Sequence, residues 1–114
     1  MNSESLTILL VGSGAREHAL AKAIARSARP YKLVTHGSSM NPGIVELSFD
    51  YESGNITDPE AVAAFAGKHG VSIAIIGPEA PLETGVSDKL WDIGIAAVGP
   101  KQQLAMIETS KGFT

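Results

Sequence analysis

Residues 6–20, LTILLVGSGAREHAL, constrain the fold more than any other stretch of the chain. A continuous aliphatic run, residues 8–11, meets Gly12-Ser13-Gly14 and then small, helix-forming residues, the pattern of a buried strand, a glycine turn and the first turns of a helix. A helix entered this way aims its unpaired first N–H groups at one spot and adds the partial positive charge of its dipole there. Such a spot favours an anion, and a phosphate is the expected one. Gly12 and Gly14 free the turn for left-handed dihedrals and for close approach of a ligand, but Glu17 stands where a dinucleotide fingerprint has its third glycine. Arg16, a cation in the first helical turn, opposes the dipole unless an anionic ligand lies between them; a solvated Arg16 paired with Glu17 is the alternative.

The rest of the chain alternates strands with helices. A helix is expected over residues 16–27, with Ala19, Leu20, Ala23 and Ile24 on one face. Residues 31–35 read as a second strand, 36–43 as a loop rich in turn residues, 44–49 as a short edge strand and 50–55 as a polar turn. Asp58 as N-cap, Pro59 and Glu60 open the next helix, whose buried stripe is Val62, Phe65 and Ala66. Lys68 and His69 complement its dipole and Gly70 closes it, which makes His69 a capping residue rather than a catalyst.

Residues 71–77, VSIAIIG, form a fully apolar strand of the kind found at the centre of a parallel sheet. It ends at Pro78-Glu79-Ala80-Pro81, where two prolines stiffen the loop and hold the Glu79 carboxylate at the strand's carboxyl end. Glu79 is there either a functional acid or the cap of the following helix. That helix is expected over 82–93, with Val86, Leu90 and Ile93 inward and Trp91 partly in the core; a strand at 95–98, a short helix at 102–108 and a cap at Thr109-Ser110 complete the chain.

This alternation predicts an α/β fold: a Rossmann-like, open, parallel five-stranded sheet with helices on both faces, in the order 3-2-1-4-5. The chain reverses direction between strands 1 and 4, and the crevice at that switch point brings GSGAREH and GPEAP together. The two stretches then make one site, a phosphate cradle with a fixed carboxylate beside it. At 114 residues the chain suits one domain and is small for a complete two-substrate enzyme. A net charge of −3 argues against a nucleic-acid partner. The absence of cysteine removes disulfides and thiolate chemistry, and the lack of any apolar run of membrane length makes a soluble, cytoplasmic protein the expectation.

Three functions compatible with this topology fit the residues poorly. A nicotinamide oxidoreductase, or another dinucleotide-binding Rossmann domain, wants an acid after strand 2, where this chain has Thr35-His36-Gly37. A non-catalytic receiver module wants an acidic pair after strand 1, and Gly12-Ser13-Gly14 holds that place. A metal hydrolase wants ligand spacing that His18, His36 and His69 do not show.

Three segments, VGSGAREHALA at 11–21, IIGPEAPLETGVSDKL at 75–90 and VGPKQQLAMIETSKGFT at 98–114, resemble in order the N-terminal domain of the phosphoribosylamine–glycine ligase family, the glycinamide ribonucleotide synthetases. The loop at 39–44, SMNPGI, departs from the commonest P-G-N-A-G form and is similar to that of archaeal members. The resemblance implies an ATP-grasp ligase of purine biosynthesis. In that reaction ATP converts glycine to a glycyl phosphate, and the amine of 5-phosphoribosylamine displaces phosphate to give glycinamide ribonucleotide. It also implies that residues 1–108 are the pre-ATP-grasp domain and that 109–114 begin the connection to an ATP-grasp domain. The sites for ATP and for Mg2+ or Mn2+, and a C-terminal domain, would then lie in the rest of the same polypeptide. No catalytic residue, metal ligand or cofactor is expected within this chain. By position, Gly12, Ser13 and Gly14 would cradle the substrate phosphate with Arg16 adding charge, Glu17 and His18 would bind or fix the loop, and Pro78 would position Glu79 to accept from ribose hydroxyls or the amine. Lys111 would be a hinge or surface lysine.

Overall fold

The computed structural model describes residues 6–26, 31–78 and 84–99. Five parallel strands, β1 (Leu6–Val11), β2 (Tyr31–Gly37), β3 (Asp50–Ser53), β4 (Ile73–Ile76) and β5 (Ala96–Val98), lie in the order β3-β2-β1-β4-β5. Among the described residues four helices connect or flank them: α1 (Ala15–Ala25), α2 (Pro42–Leu47), α3 (Pro59–His69) and α4 (Val86–Asp92). The expected α/β architecture and strand order are both present.

The pleat of the central strands sorts the core into two layers. Leu9 and Val11 of β1 point with Ala74 and Ile76 of β4 to one face, where they meet Val62 and Phe65 of α3 and Val86 and Leu90 of α4. Leu10 and Ile75 point to the other face, against Leu20, Ala21 and Ile24 of α1 and Ile44 of α2. Burial on both faces is why β1 and β4 are continuous aliphatic runs rather than alternating ones. In register, Val11 lies opposite His36 on one side and Ile76 on the other, so the ends of β1, β2 and β4 open onto a common edge.

Four local expectations are corrected. Residues 44–49 are not an edge strand: Asn41 caps a helix by accepting from the N–H groups of Gly43 and Ile44, and Pro42 sits in its first turn. The edge strand is instead β3, within the segment expected to be a polar turn; it pairs with β2 alone and its sequence, DYES, carries no apolar run. On α1 the inward face is Glu17, Leu20, Ala21 and Ile24, while Ala19 is exposed. On α4 Val86 and Leu90 are buried as expected, but Ile93 is 45% and Trp91 55% exposed, the indole N–H donating to the Ala97 carbonyl at 3.2 Å. The helix expected over 102–108 and the cap at Thr109-Ser110 lie outside the described residues. Gly70 closes α3 in the left-handed conformation, φ 63°, as its sequence position implied. Among the described residues no helix is long and apolar enough to cross a membrane.

Candidate functional site

The turn between β1 and α1 is built around a buried carboxylate. Gly12 has φ 128°, a conformation that side chains disfavour, and its N–H donates to the His36 carbonyl at 2.9 Å, continuing the β1–β2 ladder into the turn. Gly14 is the N-cap of α1, and its N–H donates to Glu17 Oε1 at 2.7 Å. Glu17 thus reaches back along its own helix and satisfies the cap, half of a capping box. It is 5% exposed. A Cβ on Gly12 would lie 2.6 Å from Glu17 Cγ, one on Gly14 3.1 Å from Oε1, and one on Gly77 would collide with Oε2. Three glycines on two main-chain segments therefore leave a slot that this side chain fills. Two of the three N–H groups expected to cradle a phosphate, those of Gly12 and Gly14, are engaged internally. The first intrahelical bond runs from His18 N–H to the Gly14 carbonyl, so Ala15, Arg16 and Glu17 present N–H groups that have no acceptor within the helix.

The loop after β2 folds over this turn. Ser13 Oγ lies 3.3 Å from the hydroxyls of both Ser38 and Ser39, and accepts from Ser39 N–H at 3.3 Å. Asn41, while capping α2 through its carbonyl oxygen, donates through Nδ2 to the Ser13 carbonyl at 2.9 Å. Tyr51, on β3, donates its hydroxyl to the Ser39 carbonyl at 2.6 Å and stands where a Cβ on Gly37 would be. The ring of His18 packs directly on Gly43, with no room for a side chain there. His18 is thus a packing residue between α1 and α2, which explains part of what the REH triplet does. Asn41 and Tyr51 escaped the sequence reading. The Asn-Pro pair at 41–42 was a usable signal, the same cap-then-proline as Asp58-Pro59, whereas nothing in the sequence marks Tyr51.

The second stretch meets the first as the topology required. Arg16 Nη1 donates to the Gly77 carbonyl at 3.2 Å, and Gly77 N–H donates to the Val11 carbonyl at 3.0 Å, so the ends of β1 and β4 and the start of α1 are tied together. Pro78 follows at the same edge, half-buried; Glu79 lies outside the described residues. Gly12, Ser13, Gly14, Arg16, Glu17 and Pro78 thus lie together at the carboxyl edge of the sheet, and His18 stands beside them.

His36, opposite Val11, is buried, with Nδ1 making no hydrogen bond among the described residues, and its ring meets Phe65 edge to face at 5.6 Å. Burial holds its pKa below the ordinary histidine value, with Glu52 and Asp58 opposing that shift. Among the described residues no group of three or more His, Asp or Glu side chains is arranged to hold a metal ion.

Comparison with known proteins agrees with this architecture and narrows it. A crystal structure of a dTDP-glucose 4,6-dehydratase from Bacillus anthracis, solved with NAD, superposes with a TM-score of 0.63 over 82% of this chain and 36% of its own; at 15% identity this likeness speaks to the fold alone. The phosphoribosylamine–glycine ligase of Thermococcus kodakarensis is 46% identical over 108 residues, and that of Methanopyrus kandleri 48% over 109 residues. The Methanocaldococcus jannaschii enzyme of the same name is 48% identical over 108 residues. In each case the match covers 95% of this chain and 24% of the relative, so the chain spans about a quarter of the length of these ligases. The family profile described as "Phosphoribosylglycinamide synthetase, N domain" matches residues 6–108, and the chain belongs to that family.

Proposed function

We propose that the chain is the phosphoribosylamine-binding domain of a phosphoribosylamine–glycine ligase, working with ATP-grasp and C-terminal domains of the same polypeptide. The observation that carries this reading is the meeting of two sequence-distant stretches, GSGAREH and GP at 77–78, in one crevice at the sheet's carboxyl edge, joined by the Arg16–Gly77 hydrogen bond. Doubly wound sheets bind ligands at that switch point. With the Gly12 and Gly14 N–H groups engaged, the substrate phosphate goes to the entry of α1, to the N–H groups of Ala15 and Arg16, the Ser13 hydroxyl and the Arg16 guanidinium. Glu79, next after Pro78, accepts from the ribose hydroxyls or the amine. The amine is thereby held for attack on a glycyl phosphate delivered by the neighbouring domain, displacing phosphate. The division falls at about residue 108. ATP and the magnesium or manganese ions that balance its charge bind outside this domain.

Melting the 114-residue chain with glycinamide ribonucleotide, ribose 5-phosphate or Mg·ATP at matched ionic strength tests this. A ligand that binds only the folded state stabilises it by RT ln(1 + [L]/Kd), about 2.7 kcal/mol at a hundredfold excess over Kd, enough to raise the midpoint by several degrees. Glycinamide ribonucleotide should give the largest shift, with no ligase turnover by the chain alone. A shift with Mg·ATP that ADP competes away would make this domain a nucleotide site and overturn the reading.

A further inference from the structure

We propose that Glu17 is a specificity-determining residue, a built-in plug that closes the switch-point slot to a diphosphate, so that the crevice accepts a ligand carrying a single phosphoryl group. In a dinucleotide fold the second glycine of the fingerprint lets the main chain approach a pyrophosphate, and the third lets helix and strand close together. Here the second position, Gly14, has given its N–H to Glu17 Oε1 at 2.7 Å, and the third position is Glu17 itself. The slot is cut to this side chain from three directions, since no Cβ fits on Gly12 or Gly77 and one on Gly14 would press on Oε1 at 3.1 Å. The Gly12 N–H is held by the His36 carbonyl, so two of the turn's donors are spent before any ligand arrives. A diphosphate placed against this turn would meet the Glu17 side chain where the fingerprint leaves room, with the Gly12 and Gly14 N–H groups already engaged. A single phosphate avoids it by binding further out, at the entry of α1. That this phosphate belongs to a ribose monophosphate rests on the ligase reading; the exclusion of a diphosphate rests on the geometry.

The test is calorimetric titration of the 114-residue chain and its variants with NAD+ and with ribose 5-phosphate, circular dichroism confirming that each variant is folded. The unsubstituted chain should bind ribose 5-phosphate and bind NAD+ at least tenfold more weakly. Glu17→Gly, which supplies the third glycine, and Glu17→Ala should each gain tenfold or more in NAD+ affinity, a gain that structural damage does not produce. Glu17→Gln keeps the shape and the acceptor for Gly14 N–H, and should stay closed. A folded Gly variant with unchanged NAD+ affinity overturns the proposal, as does a Gln variant that opens as far as the Gly variant. Should Glu17→Gly fail to fold, Glu17→Ala decides by the same criterion. If ribose 5-phosphate fails to bind the unsubstituted chain while the NAD+ gain appears, the ligase reading falls and the plug stands. If ribose 5-phosphate binds and no gain appears, the plug falls and the ligase reading stands.

Discussion

Glu17 and Asp50 are both carboxylates with a specific partner, yet one is held by main chain and the other by a side chain. Glu17 lies at the carboxyl edge of the sheet, nearly inaccessible, in a slot whose walls are three glycines and whose bond comes from a backbone N–H. Asp50 opens the edge strand β3, with its side chain 40% exposed, and takes its bond from His69 Nε2 at 2.9 Å across to the end of α3. A group fixed by backbone cannot be relieved by a neighbour changing rotamer, whereas a group fixed by a side chain on the surface can. The first arrangement sets what a crevice admits; the second fastens an edge strand to a helix. Their energies should differ accordingly.

The comparison breaks most sharply at Gly77→Ala. The added methyl would collide with Glu17 Oε2 and force this side chain out of its slot and off the Gly14 N–H, so a loss of about 1–3 kcal/mol is expected, the range of overpacked cores. Urea denaturation measures it. In a Glu17→Ala background the same substitution should cost less by about 1–2 kcal/mol, because the colliding group is gone. Equal costs in the two backgrounds would mean that the slot does not hold Glu17 as described.

Asn41 sharpens the comparison, since it works through both kinds of contact: its carbonyl oxygen caps α2 and its amide ties the loop to Ser13. Asn41→Ala should cost about 1–2 kcal/mol, cap and tie together. Asn41→Asp keeps the cap acceptor and loses only the donor, so its cost should be the smaller of the two. The cost of the Asp variant, read from thermal midpoints, measures the tie that holds the Ser38–Asn41 loop over the glycine turn, and the difference between the two variants measures the cap.

These same residues show how far the sequence could be read. The five-strand order, the place of the crevice and the stripe Val62, Phe65, Ala66 followed from aliphatic runs and glycine stops, because burial on both faces of a sheet leaves a strong compositional trace. The edge of the sheet left none. β3 buries too little to need apolar residues, and the alternation at residues 44–49 imitated a strand although Asn41-Pro42 already announced a helix. Local cap chemistry outweighed a weak period here, whereas at Asp58-Pro59 the cap and the apolar stripe agreed. The crevice was legible as a meeting of two motifs, but not the occupation of its floor. That Glu17 turns inward depends on Gly77, sixty residues later, having no side chain, and no pattern within residues 6–20 could carry that information.

The smallest effect belongs to Asp50. The hydrogen bond from His69 is the first cause holding its carboxyl below the ordinary carboxylate pKa; partial desolvation opposes this, and the Tyr51 N–H bond adds to it. A folded-state pKa below the unfolded value means that the unfolded chain binds a proton more readily. The contribution is therefore complete above the ordinary aspartate value of about 3.8 and is lost as pH falls through the folded value beneath it. With the side chain 40% exposed, solvent screens the pair, and Asp50→Asn should cost less than about 1 kcal/mol at pH 7. The check is the melting midpoint of both proteins from pH 7 down to the acid limit of folding. The gap between them should hold to about pH 4 and close below it, where both carry a neutral group at position 50. A gap that survives below the carboxylate range would show Asp50 held by shape, as Glu17 is, and the contrast between the two carboxylates would collapse.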